Sequence, residues 1–93
     1  MASKWRRRPL CLLAADGECP AALRHVSGRG AFIQTDASPS IGTAVTLRHP
    51  DAGAIEAQVI GLQADGIALR FQPGPGAVAW AMAAIAADMS RPA

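Results

Sequence analysis

Aromatic residues are scarce in this 93-residue chain: two Trp, two Phe and no Tyr, or 4% of the sequence. Proteins that bind single-stranded nucleic acid stack successive bases on aromatic platforms. Here only Trp5, Phe32, Phe71 and Trp80 could serve, which argues against that class. Cysteine is limited to Cys11 and Cys19, and His25 and His49 lack zinc-ligand spacing, so no metal is expected. The two thiols flank a turn at Asp16-Gly17 and read as reduced cysteines of a cytosolic protein. Long apolar runs are also missing, and no segment has the length of a membrane span. The run from Leu10 to Ala15 follows three arginines, as in a signal peptide, but it begins after Pro9 and meets Asp16 and Glu18 at once. A secretory apolar region needs about 7–15 residues. The expectation is a cytoplasmic chain that does not insert into a membrane.

A catalytic constellation is missing too. His25 and Ser27 lie two residues apart, without a fixed acid partner or an oxyanion elbow. Asp36, Asp51, Asp65 and Asp88 fall in turns or at a helix end, and no glycine-rich phosphate loop is present. The chain reads as a binding protein, with no catalytic residues and no cofactor.

What is present is a charge asymmetry. The net charge is +2, yet Lys4, Arg6, Arg7 and Arg8 supply four of the nine basic residues. The remaining chain carries five basic against seven acidic groups. A mildly acidic body with a cationic N-terminal arm is not a uniformly basic nucleic-acid binder, and an anionic partner would meet the arm first.

Short strands and tight turns dominate the rest. Gly and Pro recur at short intervals, and segments 10–14, 21–26, 31–35, 43–48, 55–62 and 67–71 read as six strands. Val45 and Leu47 share one face of the fourth, Ile55, Ala57 and Val59 of the fifth, and Ile67, Leu69 and Phe71 of the sixth. Alanine supplies much of the apolar content, so the core is expected to rest on Leu10, Leu12, Leu23, Phe32, Ile33, Val45, Leu47, Val59, Ile67, Leu69 and Phe71. Residues 27–30 form a turn whose Gly28 and Gly30 are free to take positive φ. His49-Pro50-Asp51 reads as loop. Residues 73–76, Pro-Gly-Pro-Gly, read as a linker, 77–89 as an alanine-rich helix and 90–93 as a tail. Val78, Met82, Ile85 and Met89 recur at i, i+4, i+7 and i+11. That stripe predicts a helix covering the barrel; the alternative is a homodimer seam, since the stripe also has heptad spacing. The expected fold is all-β: a six-stranded antiparallel barrel over 9–72 with one C-terminal helix, preceded by a flexible basic arm over 1–8.

Several segments together resemble the PilZ domain family, a group of small bacterial β-barrels. His25-Val26-Ser27-Gly28-Arg29-Gly30, running into Ala31-Phe32-Ile33, is similar to its Asp/Asn-x-Ser-x-x-Gly motif, with His25 in place of the Asp or Asn. Lys4 and Arg8 stand at the spacing of its Arg-x-x-x-Arg motif, with Lys for the first Arg and with Arg6 and Arg7 between. The stretch from Ser40 to Leu47 looks like its Pro-x-Gly-x-x-Val-x-Leu segment. Gly66-Ile67-Ala68-Leu69-Arg70-Phe71 looks like its closing Gly-x-Gly-x-x-Phe, with Ala68 for the second Gly.

The resemblance implies a cytoplasmic sensor or adaptor in cyclic di-GMP signalling, affecting motility, attachment or exopolysaccharide output through a protein partner. It implies a ligand site made of Lys4, Arg6, Arg7, Arg8, His25, Ser27 and Gly30. The chemistry is consistent: cyclic di-GMP is a compact dianion, and guanidinium bonds bidentately to phosphate and to guanine O6/N7. Trp5 offers a stacking surface for a purine. Plainer readings stay open beside this one. The 4–8 segment also fits a solvated tail, Ser27 and Gly30 a simple strand-joining turn, and His25 an exposed residue that touches nothing. A degenerate adaptor without the nucleotide, monomer or homodimer, would have the same fold.

Overall fold

In a computed structural model, residues 10–15 and 17–90 are described, the side chains of 10 and 88–90 apart. Lys4, Arg6, Arg7 and Arg8, the arm expected over 1–8, lie outside the described residues. Six strands run in the order β1 (Leu10–Ala14), β2 (Glu18–Val26), β3 (Gly30–Gln34), β4 (Ala44–His49), β5 (Gly53–Gln63) and β6 (Gly66–Phe71), followed by α1 (Pro75–Ser90). All neighbouring strands pair antiparallel in the ring β1-β2-β3-β6-β5-β4, and β1 pairs back onto β4 to close the barrel. Closure leaves no unpaired edge along the ring. The β3–β4 connection carries the chain across one open end, because β3 pairs with β6 while β4 lies between β5 and β1.

The alternation read in the later strands is the alternation observed. Val45, Leu47, Ala57, Val59, Ile67, Leu69 and Phe71 are buried, with Ile55 packed against them. The first strand differs. Cys11 and Leu13 face inward and Leu12 faces out, because Leu13 stands opposite Leu47 across the β1–β4 closure. Phe32 is only partly buried, on the outer face of β3. β2 starts at Glu18 and runs through Pro20. A proline is tolerated there because β2 pairs only with β1 at that level; its pairing with β3 begins at Ala22.

The helix begins at Pro75, so the segment expected to be a linker supplies its first turn. Gly74, at φ +149°, accepts a hydrogen bond from the Val78 N–H, and Pro75 follows at the first helical position, where its missing N–H costs nothing. The helix lies over the barrel end formed by the β2–β3 turn, the β4–β5 turn and the end of β6. Its buried face is not the expected stripe. Ala77, Trp80, Ala81 and Ala84 are buried, whereas Val78, Met82 and Ile85 are 48%, 65% and 41% exposed. Small side chains let the helix approach closely and leave Trp80 to fill the barrel mouth. Its ring meets Phe71 and His49 edge-on, at centroid distances of 5.4 and 5.8 Å.

His49 is likewise no loop residue. It ends β4 and is buried. Its Nδ1 accepts hydrogen bonds from the backbone N–H groups of Asp51 and Ala52 at 3.0 and 3.1 Å, closing the β4–β5 turn from inside. Cys11 and Cys19 are both free: across β1–β2, Cys11 faces Ala21 and Cys19 faces Leu13.

Candidate functional site

The three described residues of the expected site lie at and beside the β2–β3 turn: Ser27 within it, His25 near the end of β2 and Gly30 at the start of β3. The Ser27 N–H donates to the Gly30 carbonyl at 2.9 Å, and the Arg29 N–H donates to Ser27 Oγ at 3.2 Å. Ser27 thus stabilises its own turn as an acceptor, with its hydroxyl hydrogen still available to a ligand. The Arg29 carbonyl accepts from the Phe71 N–H at 2.8 Å, which ties the turn to the end of β6. Gly28 and Gly30 do not take positive φ, contrary to the sequence expectation. Close approach is what requires a small residue. A Cβ at Gly30 would overlap the Leu69 carbonyl oxygen, and one at Gly28 would press on Val78 Cγ2 at 3.2 Å.

His25 reaches this surface through a bulge. Leu23 pairs with Ile33 and His25 with Phe32, so Arg24 is an extra residue in β2. Strict alternation from the buried Leu23 would point His25 into the core; the bulge reverses the phase and turns it outward opposite Phe32. A second bulge on β5 makes Ile60 the extra residue between Val59 and Gly61, and Ile60 is exposed. Both bulges flank the same outer face, which β3 and β6 complete.

The result is a shallow depression lined by His25, Ser27, Arg29, Gly30, Phe32, Ile60 and Arg70 among others. Gly30 lies opposite Arg70 in the β3–β6 pair, so the floor beside the Arg70 side chain is bare backbone. The Phe32 ring lies over Gly66, where a Cβ would meet its Cζ at 2.8 Å. The depression therefore brings together His25, Ser27 and Gly30, as expected, and adds Arg29, Arg70, Phe32 and Ile60. Arg29 lies between Ser27 and Gly30 in the sequence, so its basic charge is legible there as a signal. Arg70 is joined to the turn only by strand pairing, which sequence separation conceals.

Leu10 pairs with Ala22, so the chain enters β1 from the end of the barrel toward which β2 runs to reach Ser27. Lys4, Arg6, Arg7 and Arg8 precede that entry point. Among the described residues no group of three or more His, Cys, Asp and Glu is placed to hold a metal ion. Among them, too, no helix is long and apolar enough to cross a membrane. No protein-family model matches the chain, and no curated protein matches it.

Proposed function

We propose that the chain is a PilZ-like binding protein, not an enzyme, that takes up cyclic di-GMP on the outer face beside the 27–30 turn and signals through contacts with a protein partner. The observation that carries this reading is the grouping of His25, Ser27 and Gly30 around one depression, at the barrel end where the chain enters β1. A closed six-stranded barrel capped by a C-terminal helix is the architecture the resemblance implies. In this reading Lys4, Arg6, Arg7 and Arg8 meet the ligand from the N-terminal side, and His25 and Ser27 meet a guanine edge. Ligand that binds one arrangement of the N-terminal segment better than others shifts its population and alters the surface offered to the partner.

A second reading keeps the fold without the nucleotide: an adaptor acting by protein contact alone. The exposed Val78, Met82 and Ile85 on α1 favour it, since they form an apolar stripe next to the same turn. Calorimetric titration with cyclic di-GMP, with GTP as control, separates the two. Saturable heat with cyclic di-GMP alone supports the receptor; no heat with either favours the adaptor.

A further inference from the structure

We infer that Arg29 and Arg70 form a phosphate clamp carried by the barrel itself, taking a phosphate group of a nucleotide over the bare backbone of Gly30. The described residues contain four arginines. Arg24 lies 4.0 Å from Asp65 and bonds Gln34, and Arg48 lies 3.9 Å from Glu18. Arg29 and Arg70 have no carboxylate or hydrogen-bond partner for their guanidinium groups among the described residues. Of the four described arginines these two line the depression, and they are neighbours: the Phe71 N–H donates to the Arg29 carbonyl, and Arg70 stands opposite Gly30. Among the described residues no acidic one lines the depression. On a barrel whose described residues carry more acidic than basic groups, this is a local concentration of positive charge.

The shape fits a phosphate and its attached base. Gly30 cannot carry a side chain, so nothing from β3 fills the space beside Arg70. Two guanidinium forks, one from the β2–β3 turn and one from β6, can hold a phosphodiester bidentately, with the His25 imidazole as a further donor. Phe32, partly exposed opposite His25, offers an aromatic surface at the edge for a base. The inference rests on the reading above for the identity of the nucleotide. Phosphate recognition itself rests on the two guanidiniums that have no partner among the described residues.

The test titrates the full chain with cyclic di-GMP and with inorganic pyrophosphate, comparing wild type with R29A, R70A, R29A/R70A and R24A. The roles of Arg29 in the turn are made by its backbone, so alanine keeps them. Both side chains are exposed, and thermal melts should match wild type. R29K and R70K, which keep charge but lose the fork, provide a second, milder pair. Each alanine variant is expected to weaken cyclic di-GMP at least about ten-fold, as for loss of a charge-assisted bond, with R24A unchanged. Wild-type affinity in R29A and R70A would overturn the clamp and leave the receptor reading standing. Pyrophosphate binding that disappears in the double variant, without any cyclic di-GMP binding by wild type, would support the clamp and remove cyclic di-GMP as its ligand. Pyrophosphate binding that survives the double variant, or no binding of either probe, would overturn the clamp.

Discussion

The Trp80 indole N–H donates to the Gly53 carbonyl oxygen at 2.8 Å, joining the helix to the β4–β5 turn across 27 residues of sequence. Gly53 takes φ +90°, a conformation that side-chain-bearing residues rarely adopt, so turn and helix dock as one unit. Trp80 is 5% exposed and packs on Phe71 and His49. Trp80→Ala should therefore cost about 3–5 kcal/mol by opening the barrel mouth. Trp80→Phe keeps most of the packing but loses the hydrogen bond to the exposed Gly53, and should cost about 0.5–1.5 kcal/mol. Urea denaturation of the three proteins measures both, and equal stabilities would show that the helix does not secure the barrel.

The two faces of α1 should respond oppositely to charge. Ala84 is buried against the core, so Ala84→Asp places a carboxylate in an apolar contact and should cost several kcal/mol, if the variant folds at all. Met82 is 65% exposed, and Met82→Asp should stay within about 0.5 kcal/mol of wild type. Thermal melts check the contrast. Sedimentation of wild type and Ile85→Asp adds the oligomeric state: a heptad seam between two copies would make wild type a dimer and the variant a folded monomer.

Gly30→Ala tests why the turn carries that glycine. Its Cβ would collide with the Leu69 backbone, which cannot move aside as a side-chain tip would, so β3 and β6 must separate locally. The expected cost is about 1–3 kcal/mol, as for other overpacked sites. Gly28→Ala meets only Val78 Cγ2 on an exposed residue and should cost less. Equal melting temperatures for the two variants would contradict this assignment.

Burial pushes the Cys11 thiol up, from 9.0 to about 11. Below about pH 9 both folded and unfolded chains keep the proton, and stability is unaffected. Between that value and 11 the unfolded chain releases it while the fold retains it, so stability falls as pH rises, by at most about 1.4 kcal/mol per pH unit. Urea midpoints from pH 8 to 11 should drop more steeply for wild type than for Cys11→Ala. Parallel curves would mean that Cys11 titrates normally in the fold.

The legible parts of the fold are those where side-chain size alternates. Val45 and Leu47, or Ile67, Leu69 and Phe71, announce their inward face because their neighbours are polar or small. Leu10-Cys11-Leu12-Leu13 has no alternation, so only pairing with β4 decides that Cys11 and Leu13 go inside. In α1 nearly every residue is apolar, and reading the largest ones as the buried stripe failed because the barrel end accepts alanines and one tryptophan. The candidate site divides the same way. His25, Ser27 and Gly30 are adjacent in sequence and read as one motif. Arg70 joins them through the β3–β6 register, and the outward turn of His25 depends on a bulge that leaves no local signature.

His25 provides the sharpest test of the ligand. It stands where the resembled motif has Asp or Asn, on the outer face opposite Phe32, and it is exposed. Substitution there should leave the barrel intact, so a change in binding reports the site and not the fold. An imidazole offers one donor and one acceptor, whereas a carboxylate presents two acceptors to the N–H edge of a guanine. His25→Asp and His25→Asn should therefore tighten cyclic di-GMP, while Arg8→Ala, removing the arginine nearest β1, should weaken it by about 1.5–3 kcal/mol. Arg24→Ala should do neither, because that side chain is turned toward Asp65 and Gln34. Calorimetry on the five proteins decides the matter. Tightening by either His25 variant identifies the imidazole as a weakened guanine contact. Absence of heat from wild type and both His25 variants at high ligand concentration removes the receptor reading and leaves the adaptor.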